Sequence, residues 1–150
     1  STCSRNLRIK LFCLQVTANS IYPVDSPGYP MHYTGRLRCR WTVVCPIGYN
    51  CRLDCPWIEI PPTRYCNSDR LLVSKSGNPA LYPALRYCGH GSFTVKSTGQ
   101  IMTIGMFVLN LKKRLSSLLL NCLVQTNEIK SEFSSNILIR YLKFNILNLN

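Results

Sequence analysis

Nine cysteines, at positions 3, 13, 39, 45, 51, 55, 66, 88 and 122, are the residues of this 150-residue chain with the most chemistry to offer. Thiols at this density can build a disulfide framework, hold zinc or supply a nucleophile, and their spacing separates these uses. No CxxC pair occurs, the closest spacing being Cys51 to Cys55, and neither His32 nor His90 has a second histidine one helical turn away. Zinc sites are built from such clustered ligands, so zinc is disfavoured. The framework reading places the chain in an oxidising compartment, and the odd count leaves at least one thiol unpaired or paired between chains. Thiols consumed in bridges cannot serve as a cysteine-protease nucleophile.

A serine protease needs a nucleophile, a base, an orienting acid and an oxyanion hole. Neither a GDSGG stretch nor an AAHC stretch is present. In CGHGS, His90 and Ser92 stand close together, but the flanking glycines read as a turn and no acid lies nearby in sequence. Near neighbours on a turn rarely meet in attack geometry. His90 is read as a loop histidine, and His32, in PMHY, as a surface residue. No catalytic residue is assigned, and the chain is not read as an enzyme.

Eighteen basic residues against six acidic ones give a formal charge of +12. Such a balance suits an anionic partner. The basic residues are spread along the sequence without a nucleic-acid motif, so a solvated basic surface is expected, with no nucleic-acid partner. No 18-residue apolar window exists, so no membrane span is expected.

The elements that must carry these cysteines are short strands. Pro27 and Pro30 in SPGYP fix φ and remove backbone donors, making an extended lead-in and not a helix. In RWTVV, CRLDC and WIEI the residues alternate, with Cys51, Leu53 and Cys55 on one face; CPIGYN and RYCNSD read as turns. SFTVK and QIMTIGMFV form two strands around STGQ, the second placing Met102, Ile104, Met106 and Val108 on one face. Many short strands and few helix signals argue for an all-β sandwich. A chain of this length with 46% apolar residues can build one core.

Residues 1–12 read as an N-terminal segment or signal remnant, because NLRIKLFCLQ has basic residues before a short apolar run that Lys10 and Gln15 interrupt. A first strand is the alternative. After Leu109, glycine, proline, tryptophan and histidine vanish and Leu, Asn, Ile, Lys and Ser dominate. With no turn chemistry to organise it, 110–150 is expected to be an atypical, poorly specified tail.

The ordered set SPGYP, CRW, a GY turn, CNSDRLLV, YCG and QIMTIGMFV resembles the CUB domain, a secreted antiparallel, jelly-roll-like β-sandwich. IEIPPTRYCNSDRLLVSKSGNPAL and RYCGHGSFTVKS are similar to the CUB module that precedes the protease domain in insect secreted and venom serine proteases. The resemblance runs from about Ile21 to Phe107 and suggests a domain over 13–109, or closing near 124 if the last cysteine belongs to it. It implies that Cys66 bridges Cys88, that Cys39 takes an upstream partner with Cys13 at the more usual spacing than Cys3, and that Cys55 bridges Cys122. Cys3, Cys45 and Cys51 are left over.

Many CUB domains bind calcium through three acidic residues, and the resemblance matches only Asp69 to that set. The upstream position falls on Pro61, with Glu59 two residues away, and no Asp occurs between Gly99 and Lys112. One carboxylate is too few for an ion that takes six to eight oxygens, so neither a calcium site nor any cofactor is expected. Asp69 is read instead as an acceptor for turn amides.

The function the resemblance implies is a non-catalytic, secreted interaction module associated with extracellular proteolysis, a protease domain lying in cis in a longer product. A free-standing secreted basic protein that binds anionic glycans or proteins is the alternative, and a broken gene product with no stable fold is a third reading. The insect modules end in a Gly-Gly-aromatic stretch where this chain has RLSSLLLNCLVQT, a departure that reads as a read-through or wrongly assigned coding tail. Binding is expected on exposed loops such as 75–83 and 89–92, with no individual binding residue assigned.

Overall fold

In a computed structural model of the chain, the described residues are 3–4, 10–27, 29–31, 36–109 and 119–129. The alternation in LRCRWTVV produces β4 (Leu37–Val44), which buries Leu37, Cys39, Trp41 and Val43 and turns Arg38, Arg40, Thr42 and Val44 to the other face. Its partner β9 (Ile101–Val108) pairs in strict register, Cys39 with Met106, Trp41 with Ile104 and Val43 with Met102. The methionine-bearing face is therefore a core face.

Around this pair, β1 (Cys3–Ser4), β6 (Arg70–Ser74) and β7 (Leu85–Tyr87) extend sheet A in the order β1-β4-β9-β6-β7. A further strand, β2 (Lys10–Gln15), also pairs with β4, in parallel. Sheet B has the order β3-β10-β5-β8, with β3 at Ile21–Asp25, β5 at Tyr49–Ile60, β8 at Gly89–Lys96 and β10 at Leu119–Glu128. Every other strand pair is antiparallel. A short 3-10 turn, Arg64–Cys66, links β5 to β6.

The core lies between the sheets. Leu71, Val73, Met102, Ile104 and Met106 of sheet A meet Leu53, Ile60, Leu120 and Val124 of sheet B, all fully buried. Each such aliphatic side chain contributes roughly 1.5–3 kcal/mol relative to exposure. At the open edge, Tyr87 of sheet A stacks on Phe93 of sheet B with ring centroids 3.7 Å apart and planes 4° from parallel.

Three placements differ from the sequence reading. The segment 110–150, expected to be a tail, contains β10, which lies between β3 and β5 in sheet B and buries Leu120, Cys122 and Val124. A strand needs no turn signal of its own when two neighbours already offer unpaired backbone, and the alternation of LLNCLVQ supplies its buried face. Residues 10–12 lie in β2 and residues 3–4 in β1, so parts of the expected N-terminal segment belong to sheet A. His90 stands in β8 opposite Glu59, not in a turn. The rest of the expected tail, 110–118 and from 130 onward, lies outside the described residues.

Candidate functional site

The cysteines set the frame. Cys55, on β5, is bonded to Cys122 on the adjacent β10, across 67 residues of sequence and a Cα–Cα distance of 4.1 Å. Cys66 is bonded to Cys88 across 22 residues, tying the 3-10 turn to the β7–β8 junction. Cys45 and Cys51, left over in the sequence reading, are bonded to each other across the CPIGYN turn, where Gly48 takes φ +82°. Such a φ favours glycine.

The expected upstream partner Cys13 is a correction. Cys13 is a free, exposed thiol, whereas Cys39 is buried and disulfide-bonded. The parallel β2–β4 register sets Cys13 beside Thr42, on the outer face, while Cys39 points into the core. The β1–β4 register sets Cys3 opposite Cys39.

The outer face of sheet A gathers four guanidinium groups. Arg38 of β4 and Arg70 of β6 flank Phe107 of β9 in one row; in the next, Arg40 pairs with Gly105, Gly105 with Leu72, and Leu72 with Arg86 of β7. The Arg70 guanidinium lies 5.3 Å from the centroid of the Phe107 ring, within cation–π range. Its Nη1 donates to the carbonyl oxygens of Asn67 and Ser68 at 2.6 and 3.0 Å, and Arg86 Nη1 donates to Asn67 Oδ1 at 3.2 Å. Burial, then the charges of Arg86 and Arg38, hold the Arg70 pKa below its ordinary value. Arginine stays protonated regardless, so the result is a crowd of like charges.

Alternation in LRCRW already puts Arg38 and Arg40 on one face, a signal that the spread of basic residues along the chain does not show. Arg70 and Arg86 join them only through the strand order. Loop 75–83, expected to be a binding loop, instead covers part of this face: Leu81 packs against Gly105, between Arg40 and Leu72, and Thr103 Oγ1 donates to the Gly77 carbonyl at 2.9 Å. A cavity of about 320 Å³ opens beneath it, lined by Val73, Lys75, Ser76, Pro83, Ala84, Leu85 and Thr98. Residues 89–92, the other expected loop, are strand.

Asp69 is buried, and its Oδ1 accepts the Leu109 amide at 2.7 Å. Glu59 lies on the other sheet, opposite His90. No group of three or more potential metal ligands occurs among the described residues. The residues described do not fit the calcium set of the family. His90 and Ser92 are both exposed on β8, two residues apart and thus roughly 7 Å along a strand. No hydrogen bond links either one to the other or to Glu59, and no catalytic constellation forms there. His32 lies outside the described residues.

On the outer face of sheet B, Asp54 accepts hydrogen bonds from Arg52 Nε (2.9 Å), Thr94 Oγ1 (2.8 Å) and Gln125 Nε2 (2.7 Å). Burial pushes its pKa up, but the bonds from Thr94, Arg52 and Gln125 and the Arg52 charge outweigh that, and the net shift is downward. This carboxylate is saturated by its own neighbours.

The described residues thus form a disulfide-stapled β-sandwich with a cluster of guanidiniums on the outer face of one sheet. The CUB domain profile matches residues 13–116, and the chain belongs to the CUB domain family. CUB domains are non-catalytic extracellular interaction modules.

The chain is 31% identical over 84 residues to venom serine protease 34 of Apis mellifera, a match covering 56% of this chain and 18% of that protein. It is 33% identical over 91 residues to cubilin of Rattus norvegicus, covering 59% of this chain and 2% of that protein. The chain thus spans a small part of either relative. In structure it is similar to the CUB1-EGF-CUB2 domains of rat MASP-1, with a TM-score of 0.64 at 16% identity, over 79% of this chain and 44% of that one. Among the described residues no helix is long and apolar enough to cross a membrane.

Proposed function

We propose that this chain is a secreted, non-catalytic CUB interaction module that works beside a serine protease domain in a longer product, its domain reaching from the first strands of sheet A through β10. The observation that supports this reading is the similarity to a venom serine protease over 18% of that protein's length. Reading transcripts through and beyond the codons for Met102 to Asn150 tests it. Continuation into a protease with its His, Asp and Ser supports the proposal, and transcripts that all stop after Asn150 overturn it.

The clustered guanidiniums of sheet A favour a second reading, in which the chain acts alone as a binder of anionic glycans or proteins. Arg38, Arg40, Arg70 and Arg86 come from three strands onto one face. Charge gathered in this way attracts an anionic partner more strongly than the same charge dispersed.

A further inference from the structure

We infer that the outer face of sheet A is a docking surface for a sulfated polysaccharide, gripped by Arg38, Arg40, Arg70 and Arg86. The inference rests on reading the chain as a binding module and holds whether or not a protease follows it. Neighbouring strands are about 4.8 Å apart, so Arg38 and Arg70, two strands apart, carry their Cα atoms roughly 10 Å from each other, and Arg40 and Arg86 roughly 14 Å. Arg38 and Arg40 sit roughly 7 Å apart along β4. The four charges therefore form a broad array, with Leu81 standing over Gly105 between Arg40 and Arg86, matched to a ligand with repeated anions and not to a single small one.

Three observations identify the occupant. First, among the described residues the ion pair is Arg52–Asp54 on the opposite sheet, and none of the four guanidiniums meets a carboxylate. Second, the Nε atoms of Arg40 and Arg70 are buried without a hydrogen-bond partner among the described residues. A guanidinium fork offers two parallel donors to a sulfate or carboxylate, and these buried Nε donors would complete such a fork once the ligand displaces the groups that cover them.

Third, the apolar residues among the four arginines are already covered. Leu72 and Leu81 are 8% and 6% exposed, and Phe107 lies under Arg70. A protein partner needs an aromatic or aliphatic anchor at the centre of its contact, and the arginine patch presents none, the exposed Ile101 of this face lying at the far end of β9, opposite Val44. A polysaccharide carrying sulfates needs only the charges. The overall charge of +12 steers such a polyanion toward the protein from a distance.

Affinity of the full chain for heparin, measured across a series of salt concentrations, tests the inference. Arg38→Ser and Arg86→Ser should each lower the slope of log affinity against log salt by about one, by analogy with phosphate contacts. Lys96→Ser, on the outer face of sheet B, should leave the slope unchanged. Each variant is checked for the Cys66–Cys88 bond. For the unaltered protein, heparin should slow amide exchange at residues 38–40, 70–72 and 85–87, and fully desulfated heparin should not.

Equal loss from Lys96→Ser would mean diffuse charge and overturn the assignment. So would failure of the unaltered protein to bind heparin at physiological salt, or displacement of heparin by an acidic protein at lower concentration than by a sulfated oligosaccharide. None of these results bears on the transcript test, so failure here and failure of the protease-associated reading are distinct.

Discussion

Ser26 and Leu120 hold each other through a pair of hydrogen bonds: the Ser26 amide donates to the Leu120 carbonyl, and the Leu120 amide donates to Ser26 Oγ, both at 3.1 Å. Ser26 is 2% exposed and Leu120 fully buried. The lead-in after β3 and the start of β10, 94 residues apart, thus complete each other's backbone.

Removing the hydroxyl leaves the Leu120 amide without its acceptor in a dry place. Ser26→Ala should therefore destabilise the chain by about 1–3 kcal/mol. Urea unfolding gives the value, and a midpoint unchanged from the parent would show that this corner is wet.

A chain stopped after Leu109 loses β10. Sheet B then has β3 detached from β5, and Cys55 has no partner. Such a truncation should show no cooperative unfolding transition. Cys122→Ser is the gentler version: the closed loop of 67 residues stabilises by about 4 kcal/mol in the chain-entropy model. Chemical denaturation of that variant measures the loss.

At Gly105, an added Cβ would collide with Leu81 Cδ1 and stand 2.8 Å from Phe107 Cε2. Leu81 must lift before the ring can stay. Gly105→Ala should cost about 1–3 kcal/mol, the usual range for overpacking. Limited proteolysis should then cut within residues 75–84 faster than in the parent.

Native protein should take up a maleimide at Cys13 and not at the buried, bonded Cys39. Cys13→Ser removes a surface group with no bridge to lose, so stability should shift by no more than about 0.5 kcal/mol. Mass spectrometry of the labelled peptides locates the modified residue.

Two aspartates should act on acid stability with opposite sign. Hydrogen bonds and the Arg52 charge outweigh burial at Asp54, whose pKa is lowered from 3.8; its stabilisation is present above that value and lost as pH falls through the folded pKa. Asp25 is raised from 3.8 by burial, against an opposing bond from the Cys122 amide, so its contribution is full below that value and lost as pH rises through the folded pKa. Asp54→Asn should flatten the acid limb of the stability curve. Asp25→Asn should stabilise at neutral pH, with the gain vanishing below about pH 4. Thermal melts across pH decide both.

Much of sheet A was legible because its strands alternate strictly. Cys39 and Trp41, like Met102, Ile104, Met106 and Val108, share faces through the period of two alone. The sandwich class and the family followed from those strands and from the ordered motifs around Cys66 and Cys88.

What escaped depends on partners. The strand β10 has the alternation of a strand but no turn beside it, and only the gap between β3 and β5 fixes its place. The resemblance implies Cys13 as the partner of Cys39, yet a parallel register sends their side chains to opposite faces. The arginine face needed strand order, since Arg38 and Arg86 are far apart in sequence and meet only because β9 and β6 lie between β4 and β7.

The Cys55–Cys122 bond also sets how the module behaves under tension. A pull applied at Ile129 can strip Leu123 to Ile129 from sheet B, a slack of roughly 25 Å when fully extended. Beyond that length the load crosses sulfur into the middle of β5. A tether leaving after β10 would therefore yield a short way and then stop, turning the last strand into a limiter instead of the first piece to unravel.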